Sequence, residues 1–136
     1  MIQITAQKID VAWLMEQVED DQAGAIDVFV GTTRNNTDGK KVVKLDFEAY
    51  EPMALKELQK IVDRASSRWS ILKYAVVHRV GVVEIGDKAV AIAVSTPHRE
   101  DAFLACKFII DELKKTVPIW KREVFEDGDV WVAAHP

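Results

Sequence analysis

Apolar residues in this chain recur at two different periods, and the order in which those periods alternate limits the folds open to it. Ile2 to Thr5 alternates and reads as a short strand. Asp10 can cap a helix running to about Glu19, with Ile9 and Leu14 at the two positions of a hydrophobic staple. Ala25 to Thr33 is almost continuously apolar, the pattern of a buried strand, and a polar loop follows from Arg34 to Lys41. Val43, Leu45, Phe47 and Ala49 then alternate with Lys44, Asp46, Glu48 and Tyr50, which predicts a strand with one face inward. Pro52 suits the first turn of a second helix, whose Leu55, Leu58, Ile61, Val62, Ala65 and Trp69 recur at helical spacing. Strands are expected at Ile71 to Val80, Val82 to Ile85 and Lys88 to Ser95, the last two joined by a Gly86-Asp87 turn. A third helix runs from near Pro97 to near Lys115, with Phe103, Cys106, Ile109, Ile110 and Leu113 as its buried stripe. Val117 to Phe125 and Val130 to Ala134 form a last hairpin around Asp127-Gly128. The order βαββαβββαββ is neither a regular βαβ alternation nor a run of hairpins. It predicts an α+β protein with a mixed sheet, one domain over residues 1–136.

Composition removes several functions. With 49% hydrophobic and 29% charged residues the chain is not disordered and has material for a core. Twenty-two acidic residues outnumber eighteen basic ones, a net charge of −4, so no general basic face for nucleic acid is expected. The one cysteine, Cys106, rules out an internal disulfide and any Cys-based zinc cage, and it suits a reducing cytoplasm. Neither a secretory signal nor a membrane span of ~18 apolar residues is expected. Gly31 and Gly39 are too far apart for a phosphate loop, and His78, His98 and His135 show no metal-ligand spacing.

Three places carry charge that needs explaining. In Thr96-Pro97-His98-Arg99, Thr96 reads as an N-cap and Pro97 as the first helical residue, so free backbone N–H groups favour an anion there. Cations at that helix end are unfavourable unless an anion sits between them; the plainer reading is a solvated arginine, with Glu100 and Asp101 compensating. The second place, Lys114 to Arg122, holds Lys114, Lys115, Lys121 and Arg122 and no acid. The two helix-end lysines complement the dipole, whereas Lys121 follows the apolar run Val117-Pro118-Ile119-Trp120. A held, partly desolvated amine there is a better base or nucleophile, and an exposed edge-strand face is the competing account. Third, Arg34 ends a buried strand and opens the loop with Asn35, Asn36 and Gly39, a position from which arginine can bind carboxylate or phosphate bidentately. Cys106 reads as core, and the pair His78-Arg79 as structural.

Taken in order, these pieces resemble one known family nearly end to end. They are Phe29-Val30-Gly31-Thr32-Thr33-Arg34-Asn35; Leu45-Asp46-Phe47-Glu48-Ala49-Tyr50 with Met53; and His78-Arg79-Val80-Gly81. Next come Ser95-Thr96-Pro97-His98-Arg99 with Ala102-Phe103 and Ala105-Cys106, then Leu113-Lys114 with Pro118-Ile119-Trp120-Lys121-Arg122-Glu123. The family they resemble is the large, catalytic subunit of molybdopterin synthase.

The resemblance implies an α/β hammerhead-type fold and a homodimer of large subunits within a heterotetramer. Each large subunit would hold one small ubiquitin-like sulfur carrier whose Gly-Gly C-terminus, activated as a thiocarboxylate, enters the large subunit's pocket. It implies a sulfurtransferase of molybdenum cofactor biosynthesis that converts cyclic pyranopterin monophosphate to molybdopterin, with no cofactor or metal of its own. By position, Lys114 and Lys121 would be catalytic, while Thr32, Thr33, Arg34, His98, Arg99, Arg122 and Glu123 would join them in binding substrate. The three charged places above fall on that pocket. The chain ends at Pro136 where some relatives continue, and His135 stands where a relative can carry arginine. The competing function is a non-catalytic module that docks the tail of a ubiquitin-like partner through the same cationic groove.

Overall fold

The structure, a computed structural model, describes residues 1–134. The chain runs β1 (Ile2–Thr5), α1 (Val11–Glu16), β2 (Ala25–Thr32), β3 (Asn36–Thr37), β4 (Lys40–Ala49), α2 (Glu51–Arg68), β5 (Lys73–Arg79), β6 (Gly81–Glu84), β7 (Lys88–Thr96), α3 (Arg99–Thr116), β8 (Ile119–Phe125) and β9 (Val130–Ala134). Two sheets result. The first has the order β1-β5-β7-β2, with β1 parallel to β5 and the other pairs antiparallel, so it is mixed as the element order predicts. The second is antiparallel, β3-β4-β8-β9, with β6 also pairing β4.

Strand β7 is covered on both faces, which explains its unbroken apolar run. Helices α2 and α3 bury one face, with Leu58, Ile61, Ile109 and Leu113 in one cluster with Val76, Ile92 and Val94. On the other face Leu14 and Val18 join Ala75, Val77, Ala91 and Ala93. Each of these leucine, isoleucine and valine side chains contributes about 1.5–3 kcal/mol by leaving water. Truncating Leu58, which is fully buried, would cost about 2–5 kcal/mol. The staple and cap at α1 form as expected: Ile9 and Leu14 are buried, and Asp10 accepts from the Trp13 N–H at 3.1 Å.

Several local expectations need correction. The loop 34–41 contains a tight hairpin, β3 against β4, because Asp38 and Gly39 take positive φ of 50° and 81°, the pair a type I′ turn requires. A bulge between Val42 and Lys44 shifts the phase of β4, so Val42 is buried and Val43, expected inward, is exposed. Helix α1 stops at Glu16, short of Glu19. Leu55 and Phe103 lie just off their helices' buried stripes; Phe103 is 58% exposed because α3 packs along Ala102, Ala105, Cys106, Ile109 and Leu113. His98, in extended backbone, occupies the N-cap of α3, and Arg99 is its first helical residue. Thr96 does not cap; its hydroxyl donates instead to the His98 carbonyl at 2.6 Å.

Candidate active site

Between the two sheets, where β2 ends and α3 finishes, a cavity of about 150 Å³ opens. Its floor is apolar: Phe29 from β2, Leu45 and Phe47 from β4, Ala89 and Val90 from β7. Gly31 lies on that floor because a Cβ there would come within 2.7 Å of the Val90 side chain. The polar rim is Thr32, Arg34, Thr37, Lys114, Lys121 and Glu123. A few converging charges over an apolar floor is the usual make-up of a small-molecule site.

Strand alternation selects the charged groups from β8. Lys121 and Glu123 pair with Phe47 and Leu45 of β4, so all four face the cavity. Arg122, the residue between them, points to the opposite side of the sheet, into a depression with Asp46, Glu48, Trp120 and Val132. Lys121 Nζ lies 3.3 Å from Glu123 Oε1, with the two side chains 27% and 6% exposed. The Thr37 hydroxyl donates to the same Oε1 at 3.4 Å. The ion-pair partner of Lys121 is therefore an anion on its own strand. Lys114 enters from the last turn of α3, where its charge also suits the helix dipole.

Of the residues singled out from sequence, Thr32, Arg34, Lys114, Lys121 and Glu123 come together in this cavity. Thr33, His98, Arg99 and Arg122 do not line it. Thr33 is buried beside it with its hydroxyl unpartnered. His98 and Arg99 stand at the start of α3 and Lys114 near its end, roughly 22 Å apart at 1.5 Å per residue. His135 lies outside the described residues. Sequence reasoning missed Thr37, the partner of Glu123; it was assigned to a polar loop, and only the Asp-Gly turn signal beside it pointed to a hairpin.

Two further groups fit their expected structural roles. Cys106 is buried and its thiol donates toward the Ile92 carbonyl at 3.8 Å; burial, with the nearby Asp27 carboxylate adding to it, pushes its pKa up to about 12. His78 is fully buried, edge-on to Phe47 with ring centroids 5.2 Å apart. Among the described residues no group of three or more His, Cys, Asp or Glu side chains is placed to hold a metal ion. No helix among them is long and apolar enough to cross a membrane.

Fold and cavity together define a small α+β protein with a cationic pocket suited to an anionic ligand. Comparison with known proteins gives that class a family. The family model described as MoaE protein matches residues 4–116. The molybdopterin synthase catalytic subunit of Arabidopsis thaliana is 52% identical over 124 residues, 91% of this chain and 63% of that protein. The protein of the same name from Bacillus subtilis is 45% identical over 130 residues, 96% of this chain and 83% of its own length. A crystal structure of molybdopterin synthase from Staphylococcus aureus superposes with a TM-score of 0.91 at 40% identity, covering 97% of this chain and 96% of that one. The chain belongs to the MoaE family of molybdopterin synthase catalytic subunits, sulfur-transferring enzyme subunits of molybdenum cofactor biosynthesis.

Proposed function

We propose that this chain is the catalytic partner in a heterotetrameric molybdopterin synthase. In this reading it takes sulfur from the thiocarboxylated Gly-Gly tail of a small ubiquitin-like subunit and delivers it to cyclic pyranopterin monophosphate. The observation that carries the reading is the meeting of Lys114 and Lys121, from two separate elements, with Arg34 in one cavity. Substrate phosphate and carrier thiocarboxylate are both anions, and crowding them together calls for fixed cations. Exchange of oxygen for sulfur also needs proton movement, which a positioned lysine supplies. A module that only docked a tail would not require two lysines from separate elements over an apolar floor.

In this reading Lys114 and Lys121 are the catalytic residues, Glu123 orients Lys121, and Thr32 and Arg34 hold substrate. Thr33 supports that edge, and Arg122 serves the outer face of the sheet. His98 and Arg99 reach the cavity from the second copy of a homodimer, since their own chain carries them to the far end of α3. The reading assigns no resident cofactor or metal. It places the reaction in the cytoplasm, a compartment that suits the free Cys106 thiol.

The test is direct: incubate the chain with thiocarboxylated small subunit and cyclic pyranopterin monophosphate, and measure molybdopterin. Product is expected only when all three are present. Tight tail binding without product would favour the docking module.

A further inference from the structure

Arg79 and Asp87 line no part of the cavity, yet their ion pair ties down the turn to which Thr33, the residue before Arg34, is hydrogen-bonded. The β2–β7 ladder ends with Thr32 opposite Lys88, after a register shift at Gly31/Thr32. Beyond it Thr33 is held by the turn between β6 and β7. Its N–H donates to the Asp87 carbonyl at 3.0 Å, and its carbonyl accepts from the Gly86 N–H at 2.9 Å. Arg34 is the next residue and reaches the cavity.

The turn is itself tied down. Arg79 Nη1 donates to Asp87 Oδ2 at 3.0 Å, and the Lys88 N–H donates to Oδ1 at 2.9 Å. The two side chains of the ion pair are 12% and 20% exposed, so solvent screens it only in part. Arg79 Nε also donates to the Ala6 carbonyl at 3.4 Å. One guanidinium thus joins the segment after β1, the end of β5 and the turn that carries Thr33. Lys8, 3.9 Å from Asp87, is largely exposed and adds little.

We propose that Arg79, acting through Asp87, is a positioning residue for Arg34 and hence for the anionic substrate. The inference rests on the assignment of this cavity as the substrate site. An arginine fork grips phosphate bidentately only when its plane arrives correctly oriented. Because β2 is the outer strand of its sheet, Thr33 has no second strand to steady it. Loosening the turn therefore loosens Arg34, while Lys114 and Lys121, on α3 and β8, keep their places.

The test compares Arg79→Met, which keeps much of the stem, with Arg79→Lys, which keeps the charge. In Arg79→Met the KM for the cyclic pterin precursor should rise about tenfold with kcat within about twofold, and Arg79→Lys should recover part of the loss. In an Arg34→Ala background the same substitution should add nothing, since nothing remains to be positioned. Amide hydrogen exchange at Thr33 should quicken about tenfold while that at Ile92 in β7 stays unchanged. Unaltered Thr33 exchange overturns the proposal, and so do equal KM increments with and without Arg34. If the unmodified chain makes no molybdopterin, the functional reading falls, and Thr33 exchange still decides whether Arg79 holds the turn.

Discussion

Lys121 and Glu123 form an ion pair along a single strand, Nζ to Oε1 at 3.3 Å, with the carboxylate almost wholly removed from solvent. Side chains two apart on a strand share a face, so this pairing is set by the backbone of β8 rather than by a chance surface contact. A buried anion inside a site for anions works against substrate binding, and its value lies in holding the amine. Glu123→Gln should therefore lower kcat about tenfold without raising KM for the pterin substrate. The isosteric amide keeps an acceptor for the Thr37 hydroxyl, so the fold should survive. A raised KM with unchanged kcat would instead make Glu123 a substrate contact.

Lys114→Ala and Lys121→Ala should each reduce turnover by ~10²–10⁴ in a chain that still folds, because each amine acts on charge that develops during transfer. Lys121→Ala should also lower the melting temperature, since it leaves the Glu123 carboxylate without its ion-pair partner. Single-turnover kinetics with preloaded carrier is the measurement. Full activity in a folded Lys114→Ala chain would remove that residue from catalysis.

Arg99→Gln should weaken pterin binding by roughly one to two decades, the worth of a charge-assisted hydrogen bond, with little effect on stability. A mixing experiment checks that Arg99 acts across the dimer. Arg99→Gln and Lys121→Ala chains are each strongly impaired alone when the pterin is well below KM. Under those conditions they should regain about a quarter of normal activity when co-refolded, since half the dimers then hold one intact site. No recovery would show that both residues serve the same chain.

His78 couples stability to pH. Its Nδ1 lies 2.8 Å from the Arg79 carbonyl, which can only accept, so Nδ1 carries the proton and Nε2 is left bare and buried. Burial pushes its pKa down to about 4, against a smaller upward pull from that hydrogen bond. The folded state prefers the neutral ring, so its contribution is complete above the unfolded value near 6.5 and is lost as pH falls through 4. The loss amounts to about 3 kcal/mol. Urea midpoints at pH 7 and pH 4 should differ less in His78→Gln than in the unmodified chain; equal differences would assign the acid sensitivity elsewhere.

Cys106 is the one thiol, and it is buried with its pKa pushed up to about 12, a poor nucleophile. Cys106→Ala should keep most of its sulfur transfer when carrier is supplied and lose only packing stability, seen as a lower melting temperature. A folded variant unable to transfer sulfur would make Cys106 an intermediate.

Periodicity alone determined the three helices, the long strands and the mixed α+β class, because burial on one face of a helix or strand leaves a period that any packing partner must respect. Charge out of keeping with its surroundings marked Arg34, Lys114 and Lys121. What periodicity could not reach was phase and distance. The bulge at Val43 inverted which valine of β4 faces in, and a one-residue shift leaves composition unchanged. The Asp38-Gly39 turn made a hairpin from what read as loop and brought Thr37 to Glu123, 86 residues away. Sequence placed Arg122 beside its neighbours Lys121 and Glu123, but strand alternation sent it to the other face. It also grouped His98-Arg99 with Lys114, although a straight helix holds them roughly 22 Å apart. Local patterns decide what each segment becomes, because they act through neighbours in the chain. Which charges share a cavity depends on crossings and register between distant segments, and only the folded structure decides those.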